Sequence, residues 1–340
     1  MKKIRILGIL MCVVIAFSFV LGGCGKSTDS VSPQEQPEPK AQDEQNNEPA
    51  YPVKPITYLC PFPAGGINDI MMRRQQPLLE KVSGVKYLIE YKGGAAGAVG
   101  WSHMITQKPD GYYIASINIP HIILQPHAAD SGYQTEDIVP VAFTQATPNG
   151  IAVPKDSPFN TLADLIQYAK ENPGKVTIGG TGTNSGHHVA TMEFMKAANI
   201  EVTYVPFTGS APQMTAVMGG HTTATFGNST EFFGQQDKLK VLAIGSKERM
   251  EALPDIPTFA EQGYEIYPAI SRGVGVPPGT PRPVIEKLEK IFLEVVTDSE
   301  FQRDMTNNGS VTLTMGHEES KQWIAEMQEE YIKLMDSVTK

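Results

Sequence analysis

Beyond Tyr51, short runs of apolar residues alternate with longer stretches in which apolar residues recur every three or four positions. The short runs have the length of buried β-strands, and the longer spacing is that of one face of an α-helix. Strands that alternate with helices are typical of an α/β architecture, here with a mainly parallel sheet. The predicted strands are Ile56–Cys60, Tyr113–Ile117, Val141–Phe143, Val176–Ile178, Val202–Val205, Thr223–Phe226 and Val241–Ile244.

Apolar stripes and end signals predict helices between and after these strands. Thr161 and Asp164 have the spacing of a capping box, and the stripe that follows them stops at a Pro-Gly pair. Further stripes begin at Val284 and at Trp323, and the second of these extends to Val338. Because their spacing is that of a core-facing helix side, the Met and aromatic residues in them are interpreted as core residues.

The first residues of the chain have a different pattern. A basic start precedes the uncharged stretch Ile6–Gly23, and the sequence LGGC ends at Cys24. This order is typical of an export signal, and LGGC resembles a bacterial lipobox, whose cysteine is lipidated after cleavage. A plain membrane anchor is the alternative, because about 18 apolar residues can just span a bilayer. We predict a signal peptide over residues 1–23 and lipidation of Cys24; both interpretations place the body outside the cytoplasm.

Residues 25–50 contain one large apolar residue, Val31, among polar residues and prolines. A segment of this composition buries too little apolar surface to offset the conformational entropy lost on folding. Residues 24–50 are therefore predicted to be a lipidated cysteine followed by a disordered tether that connects the membrane to a globular body.

Length, charge and cysteine content narrow the class of protein. A chain of 340 residues that is 41% hydrophobic can form one large or two ordinary domains. Its net charge of -9 argues against a nucleic-acid partner, which requires a basic surface. Cys60 is the one cysteine after Cys24, so no disulfide within the body is expected. We interpret Cys60 as a small buried residue, with a nucleophile as the alternative.

The stretch CPFPAGGINDI places Gly65 and Gly66 between the first strand and a helix. Such a turn presents backbone N–H groups and the positive end of the helix to an anion, whose approach side chains would obstruct. The turn lacks the spacing of a dinucleotide loop and the lysine of a nucleotide loop. Because Asp69 would repel a highly charged phosphate, a carboxylate is the favoured anion. A simple strand-to-helix turn is the alternative.

Two more loops of small, hydroxyl-bearing residues follow strands and open helices. They are GGTGTNSGHH over Gly179–His188 and VPFTGSAPQ over Val205–Gln213. Together the three loops indicate a polar cleft for a ligand with several oxygen atoms. The adjacent His187 and His188 would diverge by about 100° on a helix and could not share one metal ion. Since no zinc-binding spacing occurs either, neither a metal nor a cofactor is predicted.

The segment YPVKPITYLCPFPAGGINDI resembles the opening of the solute-binding receptors of tripartite tricarboxylate transporters, the Bug family. Further segments match that family in the same order: GGAAGAVG, KPDGYYI, NPGKVTIG, VPFTGSAP, LPDIPTFAEQGY and PPGTPRPVIEKL. The resemblance extends from Tyr51 to the C-terminal helix. Agreement in order and spacing over this length is more specific than any single motif.

This resemblance implies a periplasmic-binding-protein-like α/β fold of the Venus-flytrap type, with two α/β domains joined by two crossover strands. Domain 1 would comprise residues 51–146 and 269–340, and domain 2 would comprise residues 147–268. The ligand would lie in the cleft between them.

The same resemblance implies an extracytoplasmic receptor, lipid-anchored to the cell membrane, that captures a small organic anion such as a mono-, di- or tricarboxylate. It would deliver this anion to the integral membrane subunits of a transporter, and it would be a monomer. The alternative is a surface-anchored enzyme of the same fold that acts on a small carboxylate. No Ser/His/Asp order, nucleophile elbow or phosphate loop in the sequence supports an enzyme.

Carried over position by position, the resemblance assigns ligand contacts to loops of both domains. These residues are Phe62, Ala64, Gly65, Gly66, Asp69, Asn118, His121, Thr181, Ser185, His188, Phe207, Thr208 and Gly209. Of the adjacent histidines, His188 is the expected cleft residue, and a hydrogen bond at the helix start is its alternative role. Arg272 on the second crossover strand either binds a carboxylate bidentately or braces the hinge, which is the interpretation we prefer.

Some positions depart from the family pattern. Thr208 stands where the family often has lysine, and Gly227 stands where it often has aspartate. The loss of one cation and one anion changes the charge of the cleft, so the ligand class is not carried over unchanged. Pro77 lies within the first helix, where we expect a kink.

Overall fold

The computed structural model describes residues 50–338 of the chain. The predicted signal peptide, the predicted lipidation site Cys24 and residues 25–49 of the predicted tether lie outside the described residues. The strands are β1 Ile56–Cys60, β2 Tyr87–Tyr91, β3 Tyr113–Ile119, β4 Val139–Pro154, β5 Thr177–Thr181, β6 Thr203–Phe207, β7 Ala224–Asn228, β8 Leu239–Ile244, β9 Ala269–Val276 and β10 Val311–Met315. The helices are α1 Ile67–Ser83, α2 Ala98–Met104, α3 His121–Ala128, α4 Leu162–Glu171, α5 Gly186–Ala198, α6 Ser210–Met218, α7 Ser229–Phe233, α8 Arg282–Thr297, α9 Ser299–Asn307 and α10 His317–Val338.

The strands follow one continuous path in the order β2-β1-β3-β9-β4-β7-β5-β6, and β8 and β10 both pair with β4. The pairs β1–β2, β1–β3, β5–β6 and β5–β7 are parallel, as the alternation of strands and helices predicts. Every pair that involves β4 or β9 is antiparallel. The prediction of a mainly parallel sheet is therefore wrong for its centre, because the chain crosses the sheet along β4 and returns along β9 in the opposite direction.

The long strand β4 divides the sheet. Its residues 139–148 pair with β9, and its residues 149–154 pair with β7 and β8. We call residues 50–148 and 269–338 the first half and residues 149–268 the second half. This change of partner lies close to the predicted domain boundary at 146/147, and β9 begins at the predicted boundary at 269. The division into two domains stays a prediction that this pairing supports.

Each half has its own apolar core. In the first half, Trp101 and Phe143 are fully buried in a cluster formed by helices on β1 and β3. In the second half, Phe194, Phe226 and Phe259 pack against one another, with ring centroids 6.0–6.1 Å apart in all three pairs. Aromatic packing of this kind adds to the stabilisation that the buried apolar area already provides.

The helix ends confirm the local sequence signals. The Thr161 side chain accepts a hydrogen bond from the Asp164 N–H at 3.1 Å, and the Asp164 carboxylate accepts one from the Thr161 N–H at 2.9 Å. This reciprocal capping box starts α4 and contributes about 1 kcal/mol. The stripes that begin at Val284 and Trp323 belong to α8 and α10, which confirms both helices. Helix α1 continues through the exposed Pro77 as one element of 17 residues.

Cys60 ends β1 with no exposed surface and is a free thiol. Burial raises its pKa to about 11, so the thiolate needed by a nucleophile is disfavoured at neutral pH. The interpretation of Cys60 as a small buried residue is confirmed.

Candidate functional site

The two halves meet at the loops that follow β3 and β5. The Gln125 side chain on α3 donates hydrogen bonds to the backbone carbonyl oxygens of Thr183 and Asn184, both at 3.0 Å. Val189 and Met192 of α5 belong to the apolar cluster around Trp101 in the first half. Loops at the carboxyl ends of strands from both halves therefore come together, which is where ligands bind in open α/β sheets.

The β1–α1 turn uses its two glycines in different ways. Gly65 has a φ of 77°, the left-handed conformation that favours glycine, and its N–H donates to Asp69 Oδ2 at 2.7 Å. The Gly66 N–H donates to the Pro63 carbonyl at 3.3 Å. Both glycine N–H groups are thus engaged inside the turn, whereas the sequence argument expects them to face the ligand.

The backbone N–H groups without an acceptor among the described residues belong to the two residues that follow Gly66. Gly66 is the N-cap of α1 and offers no side chain to cap it. The N–H groups of Ile67 and Asn68, the first two of the helix, have no hydrogen-bond acceptor among the described residues. An uncapped helix start presents unsatisfied donors and a positive partial charge, so it attracts an anion.

Asp69 holds the turn in place. Its Oδ2 accepts from Gly65, and its Oδ1 accepts from Arg73 Nε at 2.8 Å and from the Tyr91 hydroxyl at 2.7 Å. Burial raises the pKa of Asp69, but the hydrogen bonds from Gly65 and Tyr91 and the charge of Arg73 outweigh it, so the pKa lies below its usual value. The carboxylate is therefore charged and already paired, and it fixes the turn before α1. A direct ligand contact by Asp69 stays a prediction.

The structure brings the predicted residues of β3 and α3 together with the start of α1. Asn118 and Asn68 exchange side-chain hydrogen bonds, each at 3.1 Å. His121 begins α3 with its ring edge-on to Phe62, with ring centroids 5.8 Å apart. Nδ1 of the buried His121 has no hydrogen-bond partner among the described residues. Ala64 lies exposed in the same turn.

In the β5–α5 loop, Ser185 and His188 make bonds within the loop. Ser185 Oγ accepts from the His188 N–H at 3.3 Å and donates to the Gly182 carbonyl at 3.0 Å. His188 Nδ1 accepts from the Asn184 N–H at 3.2 Å, and its ring packs on Tyr204. His188 thus has the helix-start hydrogen bond that the sequence left open as its alternative role.

His187, which the sequence argument set aside, faces inward instead. It is fully buried, its Nδ1 accepts from the Thr181 N–H at 3.3 Å and lies 3.2 Å from Thr181 Oγ1, and its Nε2 makes no hydrogen bond of normal geometry among residues 50–338. Burial lowers its pKa to about 4; the charge of Glu231 and the neighbouring Gln213 side chain oppose this decrease, and the charge of Arg272 adds to it. The sequence alone could not show which of the two adjacent histidines points inward.

The β6–α6 loop contributes a second uncapped helix start. The Phe207 carbonyl accepts from the Gly182 N–H at 2.8 Å, so the β5 and β6 loops are joined. Thr208 is exposed, and Gly209 is the N-cap of α6 without a side-chain cap. The aspartate that the family often has at Gly227 has no room here, since a Cβ would lie 2.7 Å from Met214 Cε and 2.8 Å from Phe232 Cζ.

Arg272 joins both halves. Its guanidinium donates to Asn68 Oδ1 at 2.9 Å, to Thr147 Oγ1 on β4, to the Ile270 carbonyl and to Asn228 Oδ1 at 3.3 Å. Only 4% of its surface is exposed, and burial lowers its pKa to about 10. These contacts connect β9 with α1, β4 and β7, as the bracing role expects. The carboxylate-binding role stays open at this point.

Between residues 50 and 338, no group of three or more His, Cys, Asp or Glu side chains is placed to hold a metal ion. In that same part of the chain, no helix is long and apolar enough to cross a membrane.

Residues 71–339 match the family model described as "Tripartite tricarboxylate transporter family receptor". The "UPF0065 protein in gbd 5'region" of Cupriavidus necator is 27% identical over 278 residues, which cover 81% of this chain and 85% of that protein. The solved structure of the periplasmic binding protein BugD is 28% identical with a TM-score of 0.77, covering 84% of this chain and 98% of that chain. R. palustris Rpa4515 with adipate shares the fold at 23% identity, with a TM-score of 0.78 over 84% of this chain and 98% of that chain. These similarities confirm the periplasmic-binding-protein-like α/β fold.

Proposed function

The chain belongs to the tripartite tricarboxylate transporter receptor family, and on this premise we propose that it captures a small organic anion between its two halves. The family consists of receptors of membrane transporters, and the relative BugD is a periplasmic binding protein. Membership in this family therefore implies an extracytoplasmic location. The anion carries one or more carboxylate groups. Adipate in the related R. palustris structure supports this class and makes it a suitable probe.

The observation that carries the proposal is the uncapped start of α1. The N–H groups of Ile67 and Asn68 have no acceptor within residues 50–338, and the helix dipole adds a positive partial charge at the same place. A carboxylate has two oxygen atoms that match two adjacent N–H donors, and each hydrogen bond to a charged group contributes about 1.5–3 kcal/mol. Asp69 does not oppose this anion strongly, because Arg73 and Tyr91 already compensate its charge.

Capture involves closure of the two halves over the anion. Hinge motion about a few backbone positions is the usual way in which two-domain binding proteins close. Here β4 and β9 are the connections, and the bonds from Gln125 to the β5–α5 loop would hold the closed form. A Cβ added at Gly182 would lie 3.3 Å from the Ala96 methyl group, so the rims of the cleft also approach each other closely at that point.

After capture, the receptor delivers its ligand to the integral membrane subunits of the transporter. Lipidation of Cys24 would keep the monomeric receptor at the cell membrane, and the tether would let it reach these subunits. No nucleic acid takes part.

The protein acts as a receptor and not as an enzyme in this proposal. His187 lies beside the Thr181 hydroxyl, and no carboxylate among residues 50–338 hydrogen-bonds to its other ring nitrogen. A nucleophile with an oriented base is the arrangement that acyl transfer requires. An enzyme that acts on a small carboxylate remains the alternative, and it predicts a changed product where a receptor returns its ligand unchanged.

Identification of the bound molecule tests the proposal. Purified protein is denatured, the released small molecules are identified by mass spectrometry, and carboxylic acids are then screened by thermal shift. A ligand at a hundredfold excess over its Kd adds about 2.7 kcal/mol to the free energy of unfolding. The proposal predicts that a carboxylic acid is released or stabilises the fold. If no carboxylic acid does either, the protein is not this kind of receptor.

A further inference from the structure

Arg272 is a buried cation whose hydrogen-bond partners are all neutral. They are the side-chain oxygens of Asn68, Thr147 and Asn228 and the carbonyl of Ile270. No carboxylate among residues 50–338 forms an ion pair with it. A buried charge without a counter-ion is costly, because the attraction that would offset its lost hydration is missing.

The acidic side chain whose charge reaches Arg272 is already engaged elsewhere. Glu231 Oε2 accepts from the N–H and the side-chain amide of Asn228, at 2.8 and 2.9 Å, and so caps α7. Its charge raises the pKa of Arg272, but burial has the larger effect and lowers it. The positive charge at Arg272 is therefore only partly compensated within the protein.

Two buried histidines share this charge environment. Burial, with a smaller contribution from the charge of Arg272, lowers the pKa of His121 to about 3, and burial lowers that of His187 to about 4, so both rings are neutral at neutral pH. His121 Nδ1 and His187 Nε2 make no hydrogen bond of normal geometry in the described part of the chain, although both residues are at least 98% buried; the polar side chain next to His187 is that of Gln213. Buried polar atoms in native proteins nearly always have a partner, so two unpartnered nitrogens beside one unpaired cation point to a ligand.

We propose that Arg272, His121 and His187, together called the basic cluster, bind one acid group of the ligand. Arg272 supplies the charge, and each neutral imidazole supplies an N–H donor. Together they would bind a carboxylate in a site without exposed surface, where charge-assisted hydrogen bonds are strong. This inference rests on the proposed receptor function and adds a second anion subsite to the one at the start of α1.

Asn68 connects the two subsites. Its backbone N–H is one of the free donors at the start of α1, and its side-chain oxygen accepts from Arg272. A ligand with two acid groups would reach both places at once, one at the helix start and one at the basic cluster. The ligand is therefore a diacid, and the second negative charge contributes to affinity.

The bracing role alone makes a different prediction. The oxygens of Thr147 and Asn228 need only N–H donors, which a neutral amide side chain can supply, and they need no positive charge. Bracing also leaves the two histidine nitrogens unexplained. The two roles differ in one measurable quantity, the preference for a doubly charged ligand over a singly charged one. Only the binding role makes this preference depend on Arg272.

The test compares each diacid with its own monoamide, which has nearly the same shape and one charge fewer. Succinate, succinamate, adipate and adipamate are titrated into wild-type protein and Arg272→Gln by calorimetry. Wild-type protein should bind at least one diacid about tenfold or more tightly than its monoamide. In Arg272→Gln this ratio should fall to about one, mainly because diacid binding is lost. Since partial unfolding weakens both members of a pair equally, the ratio is insensitive to stability.

Two further variants guard against misfolding and non-specific charge effects. His187→Gln removes the unpartnered imidazole nitrogen and should also reduce the diacid-to-monoamide ratio, which keeps the proposal testable if Arg272→Gln does not fold. Arg249→Gln removes an exposed arginine that pairs with Glu261 far from the cluster, and it should keep the wild-type ratio.

A folded Arg272→Gln or His187→Gln protein with the wild-type ratio overturns the subsite and leaves the receptor function intact. Wild-type protein that binds a diacid and its monoamide equally would likewise overturn the subsite and leave the receptor function intact. Wild-type protein that binds none of the four probes contradicts the subsite, and it counts against the proposed carboxylate receptor as well.

Discussion

Glu193 on α5 provides a measurable test of the contact between α5 and α10. Its Oε2 atom is buried without a hydrogen-bond partner among the described residues. Burial, and then the charge of Glu330 on α10, raise its pKa to about 7, and the charges of Glu193 and Glu330 help to raise the pKa of Tyr331. Because the folded pKa lies above the ordinary value of 4.5, folding favours the protonated acid. This contribution is complete below about pH 4.5 and is lost as the pH rises to about 7.

The size of the effect follows from the two pKa values. A pKa of about 7 in the folded state against 4.5 in the unfolded state corresponds to about 3 kcal/mol of unfolding free energy above pH 7. Glu193→Gln keeps the shape and removes the charge. We therefore expect the variant to be about 1–3 kcal/mol more stable than wild type at pH 8 and nearly equal to it at pH 4.5.

The assay is urea denaturation followed by circular dichroism at pH 4.5, 6 and 8. Glu329→Gln, an exposed neighbour on α10, is the matched control and should change stability by less than about 0.5 kcal/mol at each pH. A Glu193→Gln protein that is less stable than wild type at pH 8, or whose stability difference does not change with pH, refutes the reasoning.

Three further predictions follow from the turn, the anchor and the hinge. Gly65→Ala should lower the free energy of unfolding by about 1–2 kcal/mol, because φ is 77° there. It should leave the Kd for a carboxylate unchanged, since the added Cβ meets no atom within 4 Å. Weakened binding in calorimetry would contradict this. Cys24→Ser should release the protein from the membrane or leave it uncleaved in cell fractionation, and mature protein of unchanged size that still partitions with membranes would rule out the lipid anchor. A stabilising ligand should compact the protein in solution scattering, unless the free protein is already closed.

Local signals in the sequence predicted the elements whose residues interact with near neighbours. The capping box at Thr161 and the stripe of α10 are examples, because both depend on residues three or four positions apart. The apolar pattern alone does not predict β9, because this strand carries Arg272 and two glycines; the family resemblance implied a crossover strand there. Gly273 is required there by packing, since a Cβ would lie 2.3 Å from the carbonyl oxygen of Ala142 on β4. The sequence of β9 alone does not show that neighbour.

The sequence predicted loops that come together in the fold, but not which atoms of these loops are left without a hydrogen-bond partner. The sequence placed the glycine turn at the start of α1, but Asp69 takes the Gly65 N–H, so the free donors lie at Ile67 and Asn68. The Arg272 contacts join Asn68, Thr147 and Asn228, which are far apart in the chain. Such contacts depend on the folded arrangement of the crossover strands, and no spacing in the sequence records them.

The central claim is that the free N–H groups at the start of α1 hold the carboxylate. Ile67→Pro tests it most directly, because proline at the first helical position removes one N–H and is tolerated there, and Gly66, with φ -77° and ψ 171°, already has the extended conformation that proline requires before it. Ile67→Ala is the matched control, since it trims the same side chain and keeps the N–H. Calorimetric titration with adipate, or with the acid found by mass spectrometry, should show binding weakened about tenfold to a hundredfold in Ile67→Pro and nearly unchanged in Ile67→Ala. A folded Ile67→Pro protein that binds the acid as tightly as Ile67→Ala would contradict the claim.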